Sequence, residues 1–135
     1  MVRMATLLVG SAAVAEEVVQ DAFVEVGRRW ESLERPGAYL RRSVVNGCGQ
    51  ALRRRAVEER YACLVDGPGS VELPARLLEL QDALTRLSER QRTVVVLRYF
   101  VDIPDEEIAD VLGVRPPTVR SLARRALAVL RKELA

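Results

Sequence analysis

Apolar residues recur at intervals of three and four along most of the chain, which is the period of an α-helix, and no stretch sustains the alternation of a strand. The first such stretch predicts a helix over residues 12–30, with Ser11 as its N-cap. Its apolar side is expected to bury Ala15, Val18, Val19, Ala22, Phe23, Val26 and Trp30. Its polar side carries Glu16, Glu17, Gln20, Asp21 and Glu25.

A second helix is predicted from about Ala38 to Glu59, because Pro36 suits a first helical turn. Its apolar stripe consists of Leu40, Val44, Cys48 and Ala51. At about 100° per residue, the opposite stripe consists of Tyr39, Arg42, Asn46, Gly49 and Arg53. An aromatic ring, an amide and arginines on one exposed face could stack on and hydrogen-bond to unpaired bases. A solvated helix face without a ligand carries the same residue types. Gly47 and Gly49 would let a backbone or a base approach closely.

Residues 61–76 interrupt the helical pattern with a Gly-Pro-Gly run and a further proline, and they predict a flexible linker. Helices are predicted to resume over residues 77–87, 89–100, 105–112 and 118–134. The chain is therefore predicted to be all-α, with two small helical domains over residues 1–60 and 77–135.

The last two predicted helices have the pattern of a helix-turn-helix. Gly113 supplies the turn, the acidic residues 105–107 open the first helix, and Pro116 and Pro117 open the second. The apolar wedge between them consists of Ile108, Ala109, Leu112, Val114 and Val119. The second helix is expected to bury Ala123, Ala126, Leu127 and Leu130 as well, and to expose Thr118, Arg120, Ser121, Arg124 and Arg125. A recognition helix in the major groove needs such an exposed face, although a basic face on a packing helix shows the same pattern.

Charge and composition limit the function. The 21 basic and 19 acidic residues nearly cancel, so attraction to nucleic acid must come from local patches. From residue 77 onward there are ten basic and nine acidic residues, a net charge of +1, so this unit alone should bind DNA weakly and depend on a partner or a second DNA-contacting unit.

The residue types that most enzymes and metal sites require are scarce. The chain has no histidine and only two well-separated cysteines, Cys48 and Cys63, so we expect no enzyme, no metal site and no cofactor. The N-terminal apolar run is too short to span a membrane and lacks a signal-peptide layout, so the sequence predicts a cytoplasmic protein without membrane insertion.

Two segments resemble a known family. The sequence AEEVVQDAFVEVGRRW (15–30) followed by RPGAYLRRSVVN (35–46) resembles region two of bacterial sigma factors of the extracytoplasmic-function group. The sequence ALTRLSERQRTVVVLRYFVDIPDEEIADVLGVRPPTVRSLARRALAVLRK (83–132) resembles their region four. The resemblance implies a promoter-specificity subunit that binds core RNA polymerase and promoter DNA, with an anti-sigma factor as a further partner.

The family's functional positions carry over by alignment. The face that docks on the polymerase clamp matches Glu17, Gln20 and Asp21. The positions that capture the single-stranded minus-ten element match Leu33, Tyr39, Arg42, Asn46 and Arg53, with Asn46 at a flipped base. The positions that read the duplex minus-thirty-five element match Thr118, Arg120, Ser121, Arg124 and Arg125.

The sequence also departs from the family. The family has more helix ahead of the position matching Met1, so the resemblance predicts that the first helix lacks its start. Leu122 replaces a frequent arginine, Arg115 occupies the usual cap position, and Pro117 replaces a small residue. Two alternatives stay open: a stand-alone regulator that binds duplex DNA as a dimer, and a helical protein that sequesters an anti-sigma factor, which these departures support.

Overall fold

A computed structural model describes residues 1–61 and 75–134, and the chain divides between residues 71 and 72 into two compact units. The regular structure of the described residues is helical throughout, which confirms the all-α prediction. Most of the predicted linker, residues 62–74, lies outside the described residues, and the domain bounds of the sequence analysis stay a prediction. In the described parts of the chain, no helix is both long and apolar enough to cross a membrane.

Three helices build the N-terminal unit: α1 (Val2–Val9), α2 (Ala12–Arg28) and α3 (Pro36–Tyr61). The sequence pattern did not predict α1. It ends at Gly10, whose φ of 77° is left-handed and whose amide donates to the carbonyl of Thr6. Ser11 then caps α2, since its hydroxyl accepts a bond of 3.3 Å from the amide of Val14, as predicted.

The core of the N-terminal unit lies where each of the three helices packs against the other two. Of the apolar residues that the sequence predicted to be buried, five in α2 and three in α3 are buried. These buried residues are Ala15, Val18, Val19, Ala22, Val26, Val44, Cys48 and Ala51. In addition, α1 contributes Met4, Ala5, Leu7, Leu8 and Val9.

Two aromatic residues predicted to be buried are exposed. Phe23 is 53% exposed and Trp30 is 60% exposed. Phe23 lies about 100° around α2 from Ala22, beyond the face that α1 and α3 cover. Trp30 leaves the helical stripe because α2 ends at Arg28, and residues 30–32 form a separate 3₁₀ turn.

The glycines of α3 also differ from the prediction. Gly49, assigned to the exposed stripe, is buried. The close approach expected at Gly47 is made by Val18 of α2, since a β-carbon on Gly47 would lie 2.7 Å from Val18 Cγ1. Near the other end of α3, Nη1 of Arg55 donates a hydrogen bond of 3.2 Å to the carbonyl of Val9. This bond connects α3 to the end of α1.

The C-terminal unit consists of α4 (Ala75–Thr85), α5 (Glu89–Val95), α6 (Asp105–Leu112) and α7 (Pro116–Leu134). The predicted helix over 89–100 is present, but its last five residues, 96–100, form a π-helical turn that continues directly from α5. In this turn the amide of Val101 donates a hydrogen bond of 3.0 Å to the carbonyl of Val96, five residues earlier, as in a π-helix. Helices α4, α5 and α6 all pack against α7.

The turn between α6 and α7 has the predicted conformation. Gly113 is left-handed at φ 66°, and the amide of Val114 reaches back 3.0 Å to the carbonyl of Ala109. Helix α7 begins at Pro116, two residues before the predicted start, with the carbonyl of Arg115 accepting from the amides of Thr118 and Val119. Ile108, Ala109 and Val119 are buried as the wedge predicted, whereas Leu112, Val114 and Leu127 are only half-buried.

Candidate nucleic-acid and polymerase interface

The exposed side of α3 carries four of the five residues that the resemblance assigned to single-stranded DNA. Arg42, Asn46 and Arg53 are exposed, and Tyr39 is half-buried in the first turn. Leu33, the fifth, lies between the 3₁₀ turn and α3 in extended conformation and is half-buried. The helix thus presents a ring, an amide and two cations along one side.

Arg29 was not singled out in the sequence, yet it contacts this stripe. Its guanidinium carbon lies 5.9 Å from the centroid of the Tyr39 ring, within the range of a cation–π contact. Its Nε lies 2.8 Å from Oε1 of Glu25, one turn back along α2. No sequence signal links residues 29 and 39, because they meet only after the chain reverses between α2 and α3.

A second exposed face lies along α2. Glu17, Gln20 and Asp21 are exposed, as the amphipathic pattern predicted. Phe23 and Val24 follow them on the same helix, and Val24 is 56% exposed. A surface that combines acids, an amide and exposed apolar side chains is typical of a protein-binding site. Sequence periodicity assigned Phe23 to the core, so this apolar part of the face was missed.

The exposed face of α7 belongs to the helix-turn-helix. Thr118, Arg120, Arg124 and Arg125 are exposed and Ser121 is half-buried, so the predicted face is present on the helix. Buried residues on the opposite side hold this helix against the rest of the unit; they are Val119, Ala123, Ala126 and Leu130.

A groove between the π-helical turn and α7 extends this basic face. The lining includes four arginines and no acidic side chain. The arginines are Arg98, Arg120, Arg124 and Arg131. Tyr99 also lines the groove and is 55% exposed, a position that the predicted continuous helix did not indicate. Arg98 Nε lies 3.5 Å from Oδ1 of Asp105, which joins the turn to the first residue of α6.

Cys48 lies in the core of the N-terminal unit and is 1% exposed. Burial raises the pKa of its thiol to about 12, because the thiolate would lose its solvation there. The thiol is therefore neutral at physiological pH and behaves as a small apolar group. Within residues 1–61 and 75–134, no cluster of three His, Cys, Asp or Glu side chains is placed to hold a metal ion.

Both units match models of known protein families. Residues 1–57 match the family model of sigma-70 region 2, and residues 77–130 match that of sigma-70 region 4. The chain is 37% identical to the RNA polymerase sigma-E factor of Streptomyces coelicolor over 140 aligned residues, which cover 99% of this chain and 79% of that protein.

Two solved structures of similar fold are complexes with another protein. One is the sigma factor RpoE in complex with the anti-sigma factor NepR from Bartonella quintana, with a TM-score of 0.78 and 24% identity over 98% of this chain and 88% of that chain. Another is CnrH in complex with the cytosolic domain of CnrY, with a TM-score of 0.74 and 25% identity over 98% of this chain and 79% of that chain.

An all-helical unit followed by a helix-turn-helix unit, both matched to their counterparts in order, defines a transcription initiation factor. The chain belongs to the sigma-70 family, in its extracytoplasmic-function group. It is a promoter-recognition subunit of RNA polymerase.

Proposed function

We propose that the two units bind one promoter at two elements while core RNA polymerase holds both. The N-terminal unit captures the non-template strand of the minus-ten element, and the C-terminal unit binds the minus-thirty-five element as duplex. The protein acts in the cytoplasm and performs no covalent chemistry itself. Its C-terminal unit carries a net charge of only +1, so its own hold on DNA is weak and the polymerase supplies the effective concentration.

The observation that carries the single-strand assignment is the exposed stripe of α3. Asn46 lies between Arg42 and Arg53 along that stripe, with its amide free of the core. An amide both donates and accepts, so it can pair with the edge of a base that has left the duplex. The flanking arginines are placed to follow the phosphates of the same strand.

The duplex assignment rests on α7. Its first turn carries Thr118, and Arg120, Ser121 and Arg124 follow on the exposed side. Short polar groups near the start of a recognition helix contact base edges, while arginines farther along contact guanines or phosphates. Pro116 and Pro117 lack amide hydrogens, so this helix start offers fewer backbone donors to a phosphate.

The polymerase-binding assignment rests on α2. Glu17, Gln20 and Asp21 supply its polar part, and the exposed Phe23 and Val24 supply an apolar part. We also propose an anti-sigma protein as a regulatory partner, supported by the complexes in which the RpoE and CnrH structures were solved. Co-purification of this chain with core polymerase, and then with proteins of its own cell, tests both partners.

The decisive experiment compares Asn46→Ala with the wild-type chain in reconstituted holoenzyme. The variant is expected to retain polymerase binding and to lose promoter opening, measured as permanganate reactivity of thymines around the start site. Glu58→Ala, which changes an exposed polar side chain of the same helix about 120° around the axis from Asn46, is the matched control and should open promoters normally. Normal opening by Asn46→Ala would refute the assignment of this stripe to single-stranded DNA.

The two alternatives give different outcomes. A stand-alone regulator would bind a two-fold symmetric duplex tightly without polymerase, and a pure anti-sigma trap would bind its partner yet support no run-off transcription. The match of both units to sigma-70 regions supports the sigma-factor function over either alternative.

A further inference from the structure

The side chain of Arg29 connects the end of α2 to the single-strand stripe. Arg29 is the C-cap residue of α2, and its guanidinium lies over the ring of Tyr39 with 5.9 Å between Cζ and the ring centroid. Oε1 of Glu25 lies 2.8 Å from Arg29 Nε. Glu25, Arg29 and Tyr39 therefore form a continuous chain of contacts from α2 to α3.

This chain of contacts limits how Tyr39 can move. A guanidinium is planar and stacks on an aromatic face, and a carboxylate on Nε fixes the direction of that plane. The ring of Tyr39 is thus already contacted on one face by a guanidinium before any nucleotide is present. A ring already in place loses less conformational entropy when a base stacks on it.

The charge of Arg29 is already balanced locally. Glu25 lies within ion-pair distance of Arg29, and this ion pair lowers the net attraction of Arg29 for a phosphate. We therefore expect Arg29 to affect DNA binding by positioning the ring of Tyr39. Its loss should leave the salt dependence of binding unchanged.

We propose that Arg29 is a positioning residue of the single-strand site: with Glu25 it holds the Tyr39 ring ready to stack on an unpaired base. The inference rests on the proposed function, because it assumes that Tyr39 contacts the opened strand. It adds a residue that lies on a different helix from the stripe.

The test uses holoenzyme and a single-stranded oligonucleotide taken from the non-template strand of a promoter that the holoenzyme transcribes, with 2-aminopurine at successive positions. Tyr39→Ala is expected to abolish quenching at one position and to weaken binding about tenfold. Arg29→Ala should weaken binding about two- to fivefold and reduce quenching at that same position. The double variant should bind no worse than Tyr39→Ala.

Two further variants separate stacking from charge. Arg29→Lys keeps the cation but loses the planar stack, so it should behave like Arg29→Ala. Arg28→Ala removes the neighbouring exposed arginine from the same end of α2 and should bind like the wild type. The salt dependence of binding should be the same for Arg29→Ala and the wild type.

Several results would overturn the inference. Additive losses in the double variant, a salt slope reduced by about one in Arg29→Ala, or wild-type binding by Arg29→Lys would make Arg29 a phosphate contact. Tighter binding by Arg29→Ala would mean that its guanidinium covers the face that a base needs. If Tyr39→Ala is neutral while Asn46→Ala blocks opening, the inference fails alone. If both are neutral, the proposed single-strand function fails with it.

Discussion

Gly47 of α3 lies directly against Val18 of α2, so closely that a β-carbon on Gly47 would lie 2.7 Å from Cγ1 of Val18. Any side chain at residue 47 would force the two helices apart or displace a branched side chain that has little freedom in a helix. Gly27 of α2, in contrast, has no atom within 4 Å of the corresponding position. The packing of α2 against α3 therefore requires a glycine at residue 47 but leaves room for a side chain at residue 27.

Gly47→Ala should destabilise the N-terminal unit by about 1–2 kcal/mol, because overpacking outweighs the gain in helix propensity. Gly27→Ala should stabilise it by about 0.5–1 kcal/mol, since only propensity changes there. Urea denaturation followed by the fluorescence of Trp30, the only tryptophan of the chain, reports this unit. Equal effects of the two changes would contradict the close approach of α2 and α3.

Asp102 is the non-glycine residue with positive φ in the described chain, at 61°. Asp102→Gly should stabilise the C-terminal unit by about 0.5–1 kcal/mol, because glycine enters this region without steric cost. Gly113→Ala is the converse test: residue 113 has open space around it but a φ of 66°, so the expected loss of about 1–2 kcal/mol comes from the backbone alone. Hydrogen exchange of the amides in α6 and α7 measures both.

Burial of Cys48 predicts how the stability of the N-terminal unit depends on pH. Its folded pKa of about 12 exceeds the ordinary value of 9.0, so the contribution is complete below pH 9. Between pH 9 and 12 only the unfolded chain ionises, and the unit should lose about 1.4 kcal/mol per pH unit relative to a Cys48→Ala variant. Both chains carry Cys63→Ala so that one thiol is measured.

The same thiol should resist labelling. In the Cys63→Ala background, a thiol reagent at pH 8 is expected to react with Cys48 only as fast as the unit unfolds. Fast labelling of the folded protein would show that the thiol reaches solvent and would contradict the pH prediction as well.

The apolar part of the α2 face predicts an effect on polymerase binding. Phe23→Ser should weaken binding to core RNA polymerase about five- to thirtyfold while leaving the unit folded, because the ring is 53% exposed and only its buried part stabilises the unit. Val57→Ser changes an equally exposed apolar residue of α3 and is the matched control. Titration of labelled chain with core polymerase measures the affinity, and an equal loss in both variants would argue against a specific site.

The basic face of α7 predicts a change in salt dependence. Arg124→Ala should weaken binding of the holoenzyme to a duplex with the minus-thirty-five element about fivefold and lower the salt slope by about one. Arg90→Ala removes an exposed arginine from the first turn of α5 that does not line the basic groove, and it should change neither quantity. An unchanged slope in Arg124→Ala would exclude a phosphate contact by that side chain.

The apolar period was sufficient to predict an all-helical chain, and local residue types were sufficient to predict where several helices begin and end. Ser11 as a cap, Gly113 in the turn and the acids at the start of α6 interact with residues no more than a few positions away, so their roles are visible in the sequence. The exposed faces of α3 and α7 followed from the same period. The functional assignment of those faces needed the resemblance to a family.

Tertiary structure decided what depends on residues distant in the chain. Phe23 fits the apolar period of α2 yet is exposed, because α1 and α3 cover only part of that helix. The bond from Arg55 to the carbonyl of Val9 spans 46 residues, and the contact of Arg29 with Tyr39 requires the reversal between two helices. Helical periodicity describes one helix at a time, whereas burial and side-chain partners depend on which helices meet and how closely.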